Sequence, residues 1–406
     1  MRIRLMPLAF MVAISHSALA ARPITPEQLQ QLVISSQASH QSDADTVRQL
    51  ADLDLTAQLN PAALERLIAL SPGQKTTQAL RGLAGLSAFL DPPAGEIPNT
   101  PAPDFQKQKA ILDRTIHYVA RTLASMPDFL VSRSTEHFDD SPQALQSGAW
   151  PVHAGFHLTG TFESAITFVD GAEKDGQFQP VSSAPLSKKP DSARAKGAAK
   201  AAAVGSGLNS WGEFRTILGI PLVDAAKGKI GWSRWERIDG KSAAIFQFQI
   251  DKSISHYEVQ FYRNRPASHS NKTASNYVFR QTAGYHGHIA VDPQTGAILR
   301  IVIDADMESG SPITRASMMV EYGPVQLGSR TFICPVHSIA VSSSDEVYQP
   351  TSKSPFAELV ELQLNETKFS GYKRFGSDAT VYTGAPPAPV SASGSVAPAS
   401  SADRPL

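Results

Sequence analysis

Two pairs of histidines carry the most suggestive spacing in the chain. His286 and His288 stand two apart in "GYHGHIAVDP", and His153 and His157 stand four apart in "HAGFH". Alternate residues of a strand point to one face, so His286 and His288 can meet one ligand. Neutral imidazole is a common metal ligand, and the four together would make a metal site if a tertiary contact joined the pairs. No carboxylate stands within either pair. The expectation is therefore ordinary sheet histidines and no bound metal or other cofactor. The alternative is a metal-dependent hydrolase using His153, His157, His286 and His288.

Cys334 is the single cysteine, so it has no internal disulfide partner. It lies in "RTFICPVHSI", three residues before His337. That spacing on a regular strand puts thiol and imidazole on opposite faces, where they cannot act as nucleophile and base. Cys334 reads as a small buried hydrophobe. The familiar catalytic signatures are missing: no GxSxG, HExxH, Walker loop, GxGxxG or paired CxxC. "VGSGL" at 204–208 sits in low-complexity sequence with no strand before it. No catalytic residue is assigned.

Aromatic residues crowd the stretch 211–262. Trp232, Trp235, Phe246 and Phe248 are the candidate lining of an apolar ligand pocket, the usual form of such a site being an apolar cavity with a few polar groups. On a regular strand Trp232, Arg234 and Glu236 share one face, and Ser233, Trp235 and Arg237 share the other.

These residues need elements to position them. Residues 21–126 read as helical. Thr25 caps a helix with Pro26 at its first position, Asn60 and Pro61 repeat that start, and Val47, Leu50 and Leu53 recur at helical spacing. "DPPAGEIPNTPAP" is a stiff proline-rich linker. Asp104 then caps a long helix with an apolar stripe of Leu112, Ile116, Val119 and Leu123, ending at Pro127. A further helix opens near Asn209 or Ser210, with Pro221 kinking or ending it.

From residue 128 the period changes to two. About ten strands follow to 369, with Asp-Gly turns at 170–171 and 239–240 and a turn at Asp292–Gly296. Short connections between them demand antiparallel neighbours. In "AILRIVI" Ile298, Leu299, Ile301, Val302 and Ile303 place apolar groups on both faces, so that strand is central and covered. The fold expected is α+β: an N-terminal helical region at 21–103, then a large curved antiparallel sheet at 104–383 with helices packed on its concave side.

Residues 1–20 combine a basic start, a short apolar core and Ala18-Leu19-Ala20, which is the pattern of a secretory signal peptide. A periplasmic or extracellular location is expected. The Ala-, Ser-, Lys- and Pro-rich stretch 180–207 reads as a flexible basic insertion, and 384–406 as a disordered tail. Acidic and basic residues balance at 37 each, which argues against a nucleic-acid partner. No internal run has the length of a membrane span.

"GYHGHIAVDPQTGAILRIVIDA", "VEYGPVQLGSRTFICPVHSIAVSS" and "WSRWERIDGKSAAIFQFQI" resemble a family of secreted acidobacterial proteins. More distantly, the order of helix, strands and hairpin resembles the periplasmic lipoprotein-carrier (LolA-type) fold. That resemblance implies a half-open antiparallel barrel, helices closing its mouth, and an apolar cavity without catalytic residues. The function expected is a non-catalytic exported binding protein for a lipid, acyl chain or apolar peptide. The alternative is an envelope interaction or sensing module whose helical region docks a partner protein.

Overall fold

A computed structural model describes residues 21–140, 155–175, 179–180, 207–208, 212–265, 275–348 and 357–375. The expected signal peptide, nearly all of the basic insertion, the C-terminal tail, His153 and the Asn209–Ser210 cap lie outside the described residues. All described residues belong to one compact unit, 1–375.

Local capping chemistry sets the N-terminal region. Thr25 Oγ1 accepts from the Gln28 amide at 3.3 Å while Gln28 Oε1 accepts from the Thr25 amide at 2.9 Å, a reciprocal cap that starts α1 (Pro26–Ala38). Ser42 caps α2 (Asp43–Leu50), and Asn60 caps α3 (Pro61–Ala69). The start of α4 (Gln74–Ser87) has only Gly73 at its cap position. Its first amides are taken instead by Asp43, whose carboxylate accepts from Lys75 and Thr76 at 3.1 and 2.8 Å. Leu53 is not helical as its spacing suggested. Leu53-Asp54-Leu55 alternates buried, exposed, buried, and forms β2 (Leu53–Leu55), parallel to β1 (Arg22–Ile24). Leu29, Val33, Leu50, Leu67, Leu80 and Leu83 fill the core of this region.

Asp104 Oδ1 accepts from the Lys107 amide at 2.9 Å and opens α5 (Phe105–Ser125). Its most buried line is Ile111, Thr115, Val119 and Thr122, and Ile116 of the expected stripe is 48% exposed. The helix is therefore rotated from the purely apolar reading, with Thr115 Oγ1 returning a hydrogen bond to the Ile111 carbonyl so that a hydroxyl can be buried. The last helix, α6 (Thr216–Ala225), carries Pro221 inside it, buried.

The large sheet is antiparallel and open. It is built from β3 (Phe129–Asp139), β4 (His157–Val169), β5 (Ala172–Asp175), β8 (Lys229–Ile238), β9 (Lys241–Ile250), β12 (Gly284–Val291), β13 (Ile298–Asp306), β14 (Ile313–Leu327), β15 (Arg330–Tyr348) and β16 (Ala357–Arg374). The order is β5-β4-β3-β16-β15-β14-β13-β12-β9-β8, with the short β6 (Gln179–Pro180) beside β4. The expected single ladder divides at one point. β10 (Glu258–Arg265) and β11 (Ser275–Thr282) leave the sheet and pair with β7 (Gly207–Leu208) in a separate three-stranded sheet. Val259 and Phe261 of β10, with Tyr257 just before it, are buried in the core shared with α5 and α6.

Each face of the large sheet is covered by different residues. Ile301 and Ile303 of β13, Met318 and Val320 of β14, and Phe246 and Phe248 of β9 pack with Ile111 and Val119 of α5 and Ile217 and Leu218 of α6. Val302, Met319, Ile339, Val341 and Leu364 point to the other face and pack with Ala88, Phe89 and Phe156. Both faces of β13 are apolar, as its sequence requires of a central, covered strand. Gly85 permits the second contact, because a Cβ there would fall 2.3 Å from Leu364 Cδ1. A side chain at that position would force Leu364 to another rotamer.

Candidate functional site

His157 does not meet His286 or His288. His157 is on β4 and pairs with Asp139 at 3.2 Å, while His286 and His288 are on β12, six strands away. At the usual strand spacing that is about 29 Å of sheet. His286 is exposed on Asp306 at 2.9 Å. His288 shares its face but is half-buried, and desolvation together with the Arg300 and Arg234 charges pushes its imidazole down to about 3. The described members of the set thus occupy three unrelated environments. Among the described residues no group of three or more His, Cys, Asp and Glu side chains is arranged to hold a metal.

Cys334 lies in an aromatic cluster with Phe129, Phe168, Phe214 and Phe369, and burial pushes its thiol up to about 12. His337 spends both ring nitrogens elsewhere: Nδ1 is 3.0 Å from Glu321 and Nε2 is 3.3 Å from Glu366. Thiol and imidazole therefore have separate partners and separate surroundings.

The tryptophans required a correction of register. The β8–β9 pairing shifts between Trp232 and Arg234, leaving Ser233 as the extra residue of a bulge. Trp235 then faces the same side as Trp232, with ring centroids 4.8 Å apart, and Trp232 meets Phe246 edge-on at 5.5 Å. Arg234 and Glu236 take the opposite side. Trp232, Trp235, Phe246 and Phe248 belong to the packed layer under α5 and α6, with Phe246 and Phe248 only 0% and 3% exposed. Phe246 and Phe248 are core residues, Trp232 and Trp235 are half-buried against them, and none of the four lines the cleft described next.

That cleft, about 850 Å³, lies on the other face, between the helical region and the sheet. Its walls come from Pro61 and Leu64 of α3, Ala84, Gly85 and Ala88 of α4, and the segment Pro92–Asn99. The linker is pinned across the β8 edge. Trp235 Nε1 donates to the Pro101 carbonyl at 3.1 Å, and Arg234 pairs with Asp91 at 2.9 Å. The proline-rich linker, interrupted by one 3₁₀ turn at Ala94–Glu96, thus acts as a strap.

The floor is a chain of charges crossing the sheet. Glu136 and Glu366 both bind Arg81, which reaches down from α4. Glu366 binds His337, His337 binds Glu321, and Glu321 stands opposite Arg300 in the β13–β14 register. Arg300 binds Glu236, which also holds Arg234. Burial alone would push the His337 ring down, but its hydrogen bonds to Glu321 and Glu366 outweigh burial and hold it up at about 9. Burial would likewise raise Glu366; the His337 hydrogen bond and the Arg81 charge pull it down to about 2. Glu321 is lowered against burial by the same imidazolium. The buried Arg300 Nε has no hydrogen-bond partner.

Sequence reading missed this floor because its members are single charges on separate strands. Two of them carried a signal: Arg300 interrupts "ILRIVI" and Glu321 interrupts "MMVEYG". A charge inside an apolar strand must find a partner or a ligand.

Comparison of the chain with family models, curated proteins and solved structures found no match.

Proposed function

We propose that the protein is an exported, non-catalytic binding protein that holds an amphipathic molecule, a lipid, acyl chain or apolar peptide, in the cleft between α3, α4 and the sheet. The observation that carries this reading is the cleft itself, with apolar walls over a polar floor. Buried ion pairs seldom outperform an apolar core in stability, so a floor made of them fits a site better than a packing solution. Export is supported by the basic, apolar and small-residue order of residues 1–20. The open antiparallel sheet supports a half-barrel of the lipoprotein-carrier kind, with the difference that the ligand would lie under the helical region.

The alternative, a helical region that docks a partner protein, needs that region to be separable. Leu86, Ala88 and Phe89 share a core with the sheet, and Arg81 closes two of its carboxylates. This favours the helical region as a wall of the site.

The test is extraction of protein purified from its own host, followed by mass spectrometry, beside a Leu64→Trp variant that narrows the cleft. An amphipathic molecule bound to the parent and lost from the variant, at unchanged melting temperature, is the expected result. A protein that carries none, and that takes up amphipathic probes equally well with Trp at 64, would sink the reading.

A further inference from the structure

The helices on the face of the sheet away from the cleft, α5 and α6, carry apolar side chains outward as well as inward. α6 reads "TILGIPLVDA", with Asp224 its only charged residue. A helix that is apolar all round belongs in a covered place. Here one side alone is covered: Ile217, Leu218, Pro221 and Asp224 are buried, while Val223 is 63% exposed. On α5, Phe105, Leu112, Ile116 and Leu123 recur at helical spacing as a line beside the buried one. A Cβ on Gly219 of α6 would lie 3.8 Å from Leu123 Cδ1, so this line runs up to α6. Phe105 is 72% exposed and Ile116 is also exposed. Phe105 and Val223 are the two most exposed large apolar side chains among the described residues. Single exposed apolar residues need no explanation, but three on one two-helix layer do.

The charges around them are of one sign. Lys107, Arg114 and Arg121 recur every seven residues along α5, and Arg215, Lys227 and Lys229 are exposed beside α6. Over 104–125 and 215–229 seven Lys and Arg stand against three Asp, in a chain balanced at 37 of each sign. Of those three, Asp104 and Asp113 already pair with Lys107 and Lys109, at 3.0 and 2.6 Å, and Asp224 is buried.

We propose that the outer surface of α5 and α6 docks on an anionic lipid bilayer. Phe105, Ile116 and Val223 enter the headgroup layer, and the Lys and Arg side chains around them meet lipid phosphates. Apolar side chains flanked by basic ones are the composition of an element that lies on a bilayer without spanning it. Charge complementarity selects an anionic bilayer over a second copy of the chain, because two copies of this face would bring their own positive charges together. The proposal does not depend on what the cleft holds, and docking here leaves the cleft uncovered.

The test is flotation of the full chain with vesicles of phosphatidylcholine alone and of phosphatidylcholine mixed with phosphatidylglycerol. Binding to the mixed vesicles only, lost at about 0.5 M salt, is the expected result. Arg121→Ala and Lys227→Ala should each weaken it about fivefold. A Phe105→Ser, Val223→Ser double variant should weaken it about tenfold or more, and both positions are exposed enough that folding is not at risk. Arg66→Ala, an exposed charge on α3 away from this face, should change nothing. Equal binding to both kinds of vesicle, or to neither, overturns the proposal. So does undiminished binding of the double variant, or a loss with Arg66→Ala as large as with Lys227→Ala, since charge alone would then account for the effect. A dimer seen by analytical ultracentrifugation without lipid, and broken by the double variant, would assign the face to a second copy and overturn the bilayer. None of these outcomes bears on the cleft reading, which is tested by extraction of its own ligand.

Discussion

Glu136 and Glu366 stand directly opposite each other on neighbouring strands, and both lean on Arg81. Like charges in register repel. One guanidinium from α4 turns that repulsion into the clasp that holds the helical region on the sheet. Arg81→Ala should leave two half-buried carboxylates facing each other and cost about 2–4 kcal/mol in urea unfolding. Adding Glu366→Gln to that variant should recover part of the loss, because one of the repelling charges is gone. A double variant no more stable than Arg81→Ala alone would show that repulsion is not the source.

Gly73 and Asp43 form a second reciprocal pair. A Cβ on Gly73 would lie 2.5 Å from Asp43 Oδ2, in the space the capping carboxylate occupies. Gly73→Ala should therefore displace the cap and cost about 1–2 kcal/mol, as should Asp43→Ala. Combined, the two should cost little more than either alone, since the alanine at 73 then meets no carboxylate. Additive losses in thermal melts would contradict the shared-space argument.

The His337 imidazole gives a pH signature. Its folded pKa of about 9 lies above the ordinary value of 6.5, so the folded chain keeps a proton that the unfolded chain releases. Its stabilisation is complete below about pH 6.5 and is lost as pH rises toward 9. Glu366, at about 2 in the folded state against 4.5, adds the opposite limb: its stabilisation is present above 4.5 and fades as pH falls toward 2. Stability set by this pair should peak between about pH 4.5 and 6.5. His337→Gln should flatten the decline between pH 6.5 and 9, measured as urea midpoint against pH.

Cys334 should behave as an inert thiol. It is 0% exposed and its pKa is pushed up to about 12 by burial, so it has neither access nor thiolate at neutral pH. A thiol reagent should label the native protein no faster than global unfolding permits and label it fully in denaturant. Rapid native labelling would place the thiol near a surface that the fold does not give it.

Local chemistry was the legible part of this fold. Thr25, Asn60 and Asp104 cap where their side chains dictate, and the turns at Asp239-Gly240 and Asp292–Gly296 have the positive φ at Asp239, Gly240 and Gly296 that such turns need. Alternation located the strands but could not show a bulge. One extra residue, Ser233, was enough to move Trp235 to the side of Trp232. Strand order was also hidden, since pairing partners such as Glu136 and Glu366 belong to segments that nothing local connects. The cleft floor was hidden for the same reason. Its ion pairs join six strands and one helix, and no single strand carries more than two of the charges.

The seam between β3 and β16 joins residues more than 200 positions apart in the chain. Loop closure over that distance must precede any gain from the contact, so the seam belongs to a topology of high contact order and slow folding. Until residues 357–374 arrive, β3 and β15 each present a long bare edge that another chain can join. During synthesis the molecule is therefore most exposed to aggregation just before its last strand docks. Once β16 has closed the seam, neither edge remains bare.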